Sequence, residues 1–572
     1  MYVVSVVLLV GALLTPAVYR WRRRKAGLRA GELTQVYRRR LVRALVASLV
    51  FLILGLTGLA GVASASNGDK NGVKTGTDKT SVTAIVPVGT PQDQVLPTVT
   101  QQVARDHLAI NYAWLTVGGI LVLFMQAGFA LVETGFTRAK NAAHTMMMNL
   151  VIFALGVAGW FVCGYALMFG AVSNPGLGIT PLSGSLHVGH WNLIAHGGFF
   201  LGGHAYDVGI MGFFFFQLVF MDATATIPTG AMAERFKFSA FIVWGLFASM
   251  LLYPVYGNWV WGGGWLSQLG VFGPQWGHGA LDFAGSGVVH AMGGVAAFWG
   301  AKILGPRIGK YDKNGKPRAI PGHHLPMAFL GTMILLVGWM GFNGASTFAA
   351  TDFRFMVVIV NTILASAFGL LSAMFTMWWK YGKPDPSMTC NGLLAGLVAI
   401  TAPCAYVAPW AAMVIGLVAG VLVVVAVVGV DQWFHVDDPV GAVAVHGVNG
   451  LWGVLALGLF ADGTYGFGFN GVSGPVKGLF YGDAGQFMAQ LTSAIVLVLW
   501  CSLATILFFV IVKRTIGLRS NEADEIAGLD LPEMGALAYP DFLLHRSDAG
   551  HVVEGPATVS AGSGASSGTE RS

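Results

Sequence analysis

The sequence predicts an all-α polytopic membrane protein, and three observations carry that prediction. Hydrophobic residues make up 55% of the 572 and charged residues only 10%, against about a quarter charged in soluble domains. From about residue 110, eleven apolar runs succeed one another, at 111–136, 145–172, 209–231, 238–260, 281–303, 324–346, 355–379, 388–404, 407–430, 439–461 and 485–512; a bilayer core takes roughly 20 residues of helix to cross. The third observation is a duplication. Asp282-Phe-Ala-Gly-Ser-Gly-Val-Val-His290-Ala-Met-Gly-Gly294 and Asp438-Pro-Val-Gly-Ala-Val-Ala-Val-His446-Gly-Val-Asn-Gly450 share the acid, a Gly at plus three, a Val at plus seven, the His at plus eight and a Gly at plus twelve. Matched polar, Gly-interrupted segments point to an internal repeat with a site at its interface.

Residues 1–65 form a hydrophobic and basic segment. An apolar start is followed by Arg20, Arg22, Arg23, Arg24 and Lys25, then by Arg38 to Arg40 with Arg43, then by an apolar run, 44–62, ending in Gly-Val-Ala-Ser-Ala-Ser. That order is a signal peptide's, with an A-x-A-like site near Ala65; a retained helical hairpin is the other reading. Residues 66–108 are polar and read as an external, disordered or loosely packed segment. The core spans 109–513, and 514–572 is a tail that begins basic, turns acidic through Glu522, Asp524 and Glu525, and is disordered after about residue 545.

Charge placement gives the spans their direction. Arg138 and Lys140, Arg235 and Lys237, six cations between Lys302 and Arg318, Lys380 and Lys383, and Lys513, Arg514 and Arg519 fall in alternate loops, whereas the intervening loops hold only Arg354 and Lys477. The positive-inside rule then starts the core outside and ends it in the cytoplasm. An odd count fits, and it divides into two five-helix halves of opposite orientation plus one helix, an inverted repeat in which Asp282 opens the fifth span and Asp438 the tenth. The formal charge of +6 is therefore a matter of topology, and no nucleic-acid partner is implied. Cys163, Cys390, Cys404 and Cys501 lie in or beside apolar segments without a CxxC pair and read as packing residues.

A His inside a membrane helix is costly and is by default a functional residue. His290 and His446, at equivalent repeat positions, could meet at the midplane and relay a proton or accept a hydrogen bond from a small substrate. A metal would want a third ligand, and neither copy offers a carboxylate or thiol on the facing turn. Eight residues place Asp282 roughly 12 Å along the axis from His290, so it does not touch the ring. Asp282 and Asp438 stand where N-caps belong, with attraction of cations as a second role for Asp282. The connection 173–208 carries His187, His190, His196 and His204; without a Cys or carboxylate partner it reads as a surface loop rather than a metal site. No cofactor is implied.

The residues resemble the ammonium transporter family, the Amt/Mep/Rh proteins of bacterial Amt type, over roughly 110–540. The motifs are Asp282-Phe-Ala-Gly with His290, Asp437-Asp438-Pro with His446, Thr137-Arg-Ala-Lys-Asn141, Ala233-Glu-Arg235 and Gly338-Trp-Met-Gly-Phe-Asn343. The resemblance implies a transporter of ammonium and methylammonium rather than an enzyme, in the cell membrane, as a homotrimer with a pore in each subunit. It implies an outer substrate site at Trp261, Phe220 and Ser346, a gate of Phe220 and Phe342 with Phe216 and Gln217 close by, and a pore lined by His290 and His446. Gly528-Leu-Asp-Leu-Pro-Glu-Met-Gly-Ala-Leu-Ala-Tyr539 resembles the family's cytoplasmic tail, which packs across subunits and communicates with a PII-type signalling protein; Met534 stands where that motif usually has His.

Asp222 places a carboxylate inside the third span, two residues past Phe220, and Glu133 another near the inner end of the first. Intramembrane acids are expensive and usually paired, so Asp222 either binds a proton or cation below the gate or ties helices together. Gly441 stands where some relatives have a further Asp. The alternative function is an ammonium sensor that signals through its tail, and a His-ligated metal or haem enzyme is a more distant third.

Overall fold

The computed structural model describes residues 91–540 apart from His190; the expectations for 1–65, 66–90, His190 and the chain after 540 lie outside the described residues. Among the described residues a helix falls within each expected span, though not always to its end: α1 (Gln92–Phe136), α2 (Ala139–Phe169), α3 (Val208–Met232), α4 (Phe238–Val260), α5 (Ser286–Leu304), α6 (Leu325–Thr347), α7 (Phe355–Tyr381), α8 (Pro386–Ile400), α9 (Pro409–Gln432), α10 (Val443–Phe460) and α11 (Ala484–Thr515). Ten of them are long and apolar enough to cross a membrane, and α8 is not. Its 15 residues end at Ile400, and 401–407 continue as buried turns where the sequence predicts helix to 404. Backbone of that kind is tolerated at membrane depth only inside protein.

The stretch expected to be irregular up to 108 is corrected over 92–108. α1 runs unbroken for 45 residues, because 98–108 holds neither Gly nor Pro and is rich in helix formers. The connection 173–208 also folds further than expected, into an antiparallel hairpin of β1 (Ser185–Val188) and β2 (Trp191–Ala195).

Glycine decides how closely the helices approach. A Cβ on Gly331 would lie 2.6 Å from the Gly128 carbonyl, and one on Gly341 2.8 Å from the Gly118 carbonyl, so α1 and α6 cross antiparallel with their backbones in contact. α5 and α10 do the same: Gly294 meets the Gly447 nitrogen, and Gly450 meets the Ser286 carbonyl. Each pair joins helices at equivalent places in the two halves, and both run antiparallel, which is the arrangement that an inverted repeat requires.

The basic loops gather at one pole. Arg307 grips Asp437 through two nitrogens at 2.8 and 2.9 Å and reaches Glu234 at 2.7 Å; Arg138 pairs with the same Glu234. Arg235 donates to the Asp437 carbonyl at 2.6 Å. Burial alone pushes the Asp437 carboxyl up, but Arg235 and Arg307 outweigh it and hold it well below the usual range. The tail, with α12 (Glu522–Ala527), lies across this pole. Asp530 accepts the His144 amide at 2.9 Å near the start of α2, and Glu533 accepts the Phe238 amide at 2.9 Å at the start of α4.

Candidate functional site

Opposite the basic pole, a cavity of about 490 Å³ opens between α3, the ends of α4 and α6, and the loops around 352 and 469. Trp261 directly follows α4 and lines the cavity, and its indole N–H donates to the Asp282 carbonyl at 2.6 Å, which anchors the ring there. Ser346 spends its proton on the Phe342 carbonyl at 2.7 Å and keeps lone pairs free to accept. Gln217 lines the same space and has a buried, unpartnered Oε1. Along the rim, the Arg354 guanidinium lies 4.0 Å above the Phe469 ring, and its bonds to Asp352 hold that carboxyl below the usual range.

The cavity floor is aromatic. Phe220 and Phe342 lie centroid to centroid at 4.2 Å, tilted by 42°; Phe216 abuts Phe220 at 4.9 Å and Trp261 meets it edge-on at 6.1 Å. Both paired phenylalanines are at most 1% exposed, so they close the passage. Beneath Phe342, the His290 ring follows at 5.4 Å, near-parallel at 27°, and His446 at 5.3 Å from His290. The two imidazoles face each other through Nδ1 atoms 3.2 Å apart. One must donate and the other accept, so the pair holds one proton between its rings.

Local backbone explains how the histidines reach this point. Each lies in a π turn, Ser286–Ala291 and Val443–Val448, which widens the helix by one residue and turns its side chains inward, a feature common at functional sites. The turns follow acid caps. Asp282 accepts Gly285, Gly287 and Val288 amides at 2.8–2.9 Å; Asp438 accepts Gly441 and Val443 amides at 3.0 and 2.8 Å. Both carboxylates are spent on backbone, and neither lines the cavity. At Gly285, φ is +113°, a conformation only glycine adopts without strain, so the shared glycine at plus three of the repeat is a backbone requirement.

Asp222 is not on this column. Two residues turn it about 200° around α3 from Phe220, and its Oδ1, buried and unpartnered, faces Gly156 of α2. Sequence reasoning missed Trp339, whose ring stacks on His290 at 4.9 Å and 19° and whose N–H is held by Thr401 at 2.8 Å. Its signal was available: it lies three residues before Phe342 in a quoted motif, one turn away on the same helix face. Phe129, 6.1 Å from His446, and the rim residues Arg354, Phe469 and Asn470 carried no such signal. Among the described residues, no three His, Cys, Asp or Glu side chains converge as a metal site would need.

The model of the Ammonium Transporter Family matches residues 113–539. The ammonium transporter Amt2 of Archaeoglobus fulgidus is 48% identical over 450 residues, covering 78% of this chain and 91% of that one; ammonium transporter 1 member 3 of Solanum lycopersicum is 35% identical over 75% and 93%. Among solved structures, a protein described as a sensor Amt protein superposes with a TM-score of 0.65 at 34% identity over 75% of this chain and 98% of its own. Mep2 of Candida albicans gives 0.63 at 28% identity over 75% and 90%.

Proposed function

The chain belongs to the ammonium transporter family and is a multi-pass membrane protein, and from that premise we propose that it moves ammonium through the column of Trp261, Phe220, Phe342, His290 and His446. The observation that supports this most is the continuity of the column: an open cavity lined by a Trp face and a Ser oxygen ends on two touching phenylalanines, with a hydrogen-bonded His pair directly below.

Each piece has a chemical task. Trp261 offers a cation–π contact of roughly 0.5–2 kcal/mol, and Ser346 accepts an N–H. Neither excludes potassium, which is of similar size. The filter is the dry passage: moving such an ion from water into low dielectric costs of order 20 kcal/mol in the idealised Born limit. Ammonium avoids that cost by leaving its proton near Phe220 and crossing as ammonia past the histidines; potassium has no proton to leave. The positive-inside pattern puts Trp261 outside and the basic pole in the cytoplasm of a cell-membrane protein, with α8 and its following turns completing an eleven-span, five-plus-five-plus-one core.

The exposed apolar faces of the helices suit both lipid and a homotrimer. The tail across the basic pole suits coupling between subunits and docking of a PII-type protein. The sensor reading rests on that tail and on the likeness to a structure named as a sensor. One experiment separates the readings: purified protein in liposomes on a solid-supported membrane, given an ammonium jump with potassium as control. A saturable ammonium-specific current, lost or made unselective by His290→Ala, supports conduction through the column. Specific ammonium binding with neither current nor lumenal pH change would make the protein a sensor.

A further inference from the structure

We propose that Glu133 is the proton acceptor on the cytoplasmic side of the histidine pair, taking the proton from His446 through a single water; this rests on the reading above in which ammonium gives up its proton at the column. Glu133 and His446 line one small cavity of about 20 Å³ on the basic-pole side of the histidines, together with Phe129, Ile227, Leu394 and Val445. That volume holds about one water, and three of its lining side chains, Glu133, His446 and Asn391, are polar.

The surroundings of Glu133 are those of a carboxyl built to hold a proton. It is 3% exposed, and among the described residues no cation acts on it. Thr229 Oγ1 lies 2.7 and 2.6 Å from its two oxygens and 2.7 Å from the Thr226 carbonyl. One hydroxyl supplies one proton: before the transfer it goes to the Glu133 carboxylate, and once Glu133 is protonated it turns to the Thr226 carbonyl while the carboxyl donates in its place. Asn149 donates at 2.7 Å to Oε2, one of the two oxygens that Thr229 contacts. The remaining charged group facing Glu133 is Asp438, whose oxygens are taken by the Gly441 and Val443 amides.

The transfer balances without further reactants. Ammonium's proton joins His290 at Nε2, which is buried without a partner on the ring edge away from His446. The His290 Nδ1 proton passes to His446 Nδ1 across 3.2 Å. His446, starting as the Nε2–H tautomer, releases that proton to the cavity water, which hands one on to a Glu133 oxygen. No bond other than N–H and O–H changes. Release of the Glu133 proton toward the basic pole and the return of both tautomers reset the relay while ammonia crosses separately.

The test uses full-length protein in liposomes carrying a lumenal pH dye, with the current recorded in parallel. In the wild type, ammonia and proton arrive together, giving current and little alkalinisation. Glu133→Gln keeps the shape and the Asn149 and Thr229 contacts but removes the acceptor. It should lower the current at least about tenfold while lumenal alkalinisation rises, and Glu133→Asp should recover part of the current. Ala442→Val, which fills the cavity without touching the Glu133 bonds, should act like Glu133→Gln and decides alone if that variant does not fold. Unchanged current in the folded variant overturns the inference, as does loss of current and alkalinisation together. A wild type that alkalinises the lumen without current overturns it too while leaving ammonia conduction intact; a wild type with neither sinks the transport reading instead.

Discussion

Two buried aspartates show how differently one residue type behaves here. Asp437 is locked between Arg235 and Arg307, and removing one partner of such a pair costs about 3–5 kcal/mol because the other charges stay buried. Asp437→Asn is therefore expected to lower the melting temperature of the detergent-solubilised protein by several degrees. The pH dependence has a definite sign: a carboxyl held below its usual value contributes stability that is fully present above pH about 4 and is lost as pH falls toward its folded value. Melting followed from pH 7 to pH 3 should show that loss in the wild type and a flatter profile in the variant. Asp222 has the opposite prospects. Its Oδ1 has no partner, and burying a polar group unbonded costs about 1–3 kcal/mol. Asp222→Leu should hold or raise the melting temperature and leave the ammonium-to-potassium current ratio within about twofold; a collapse of that ratio would assign Asp222 to the conducting path.

At the scale of elements, what the sequence made legible was periodicity and repetition, and what it hid was local departure from the regular helix. Runs of apolar residues located α1 to α11, because a span must be continuous to satisfy its backbone in lipid; the acidic α12 gave no such signal. The repeated Asp, Gly and His located α5 and α10. It did not disclose the π turns, since one extra residue per turn leaves composition unchanged. Nor did it disclose that α8 stops at Ile400: 401–407 stay apolar, being buried in protein rather than helical. The column was half legible. His290 and Phe342 stood in motifs and Trp261 was implied by the family resemblance, whereas Phe129 and Arg354 join it only through tertiary packing. The α5–α10 crossing gives a graded prediction. A Cβ on Gly294 would sit 2.0 Å from the Gly447 nitrogen, but one on Gly447 only 3.2 Å from Gly294. Backbone cannot yield as a side chain can, so Gly294→Ala should destabilise by at least about 1–3 kcal/mol and abolish transport, and Gly447→Ala should be milder on both counts. Equal thermal shifts would show that the crossing adjusts as a unit.

At the scale of the molecule, the two poles are joined by α4. Its first amide, at Phe238, is capped by Glu533 of the tail, and its last residue is followed by Trp261 of the outer cavity. A π turn at Ala248–Leu252 interrupts the helix halfway and supplies a joint at which displacement of one end can be absorbed or passed on. Asp530 caps the start of α2 in the same manner, so two carboxylates of one short tail segment sit at two helix N-termini, where negative charge is favourable. Losing such a cap typically costs about 1 kcal/mol, or roughly fivefold in a local opening equilibrium. Glu533→Ala should therefore raise amide exchange across the first turn of α4 about fivefold, with the first turn of α2 unaffected, and Asp530→Ala should do the reverse. If tail and cavity are coupled through α4, Glu533→Ala will also shift the ammonium concentration giving half-maximal current, whereas Asp530→Ala, acting on α2, which reaches the cavity only through its last residue, Phe169, and does not carry Trp261, will shift it less. Equal shifts in both variants would place the coupling in the tail as a whole rather than in this helix.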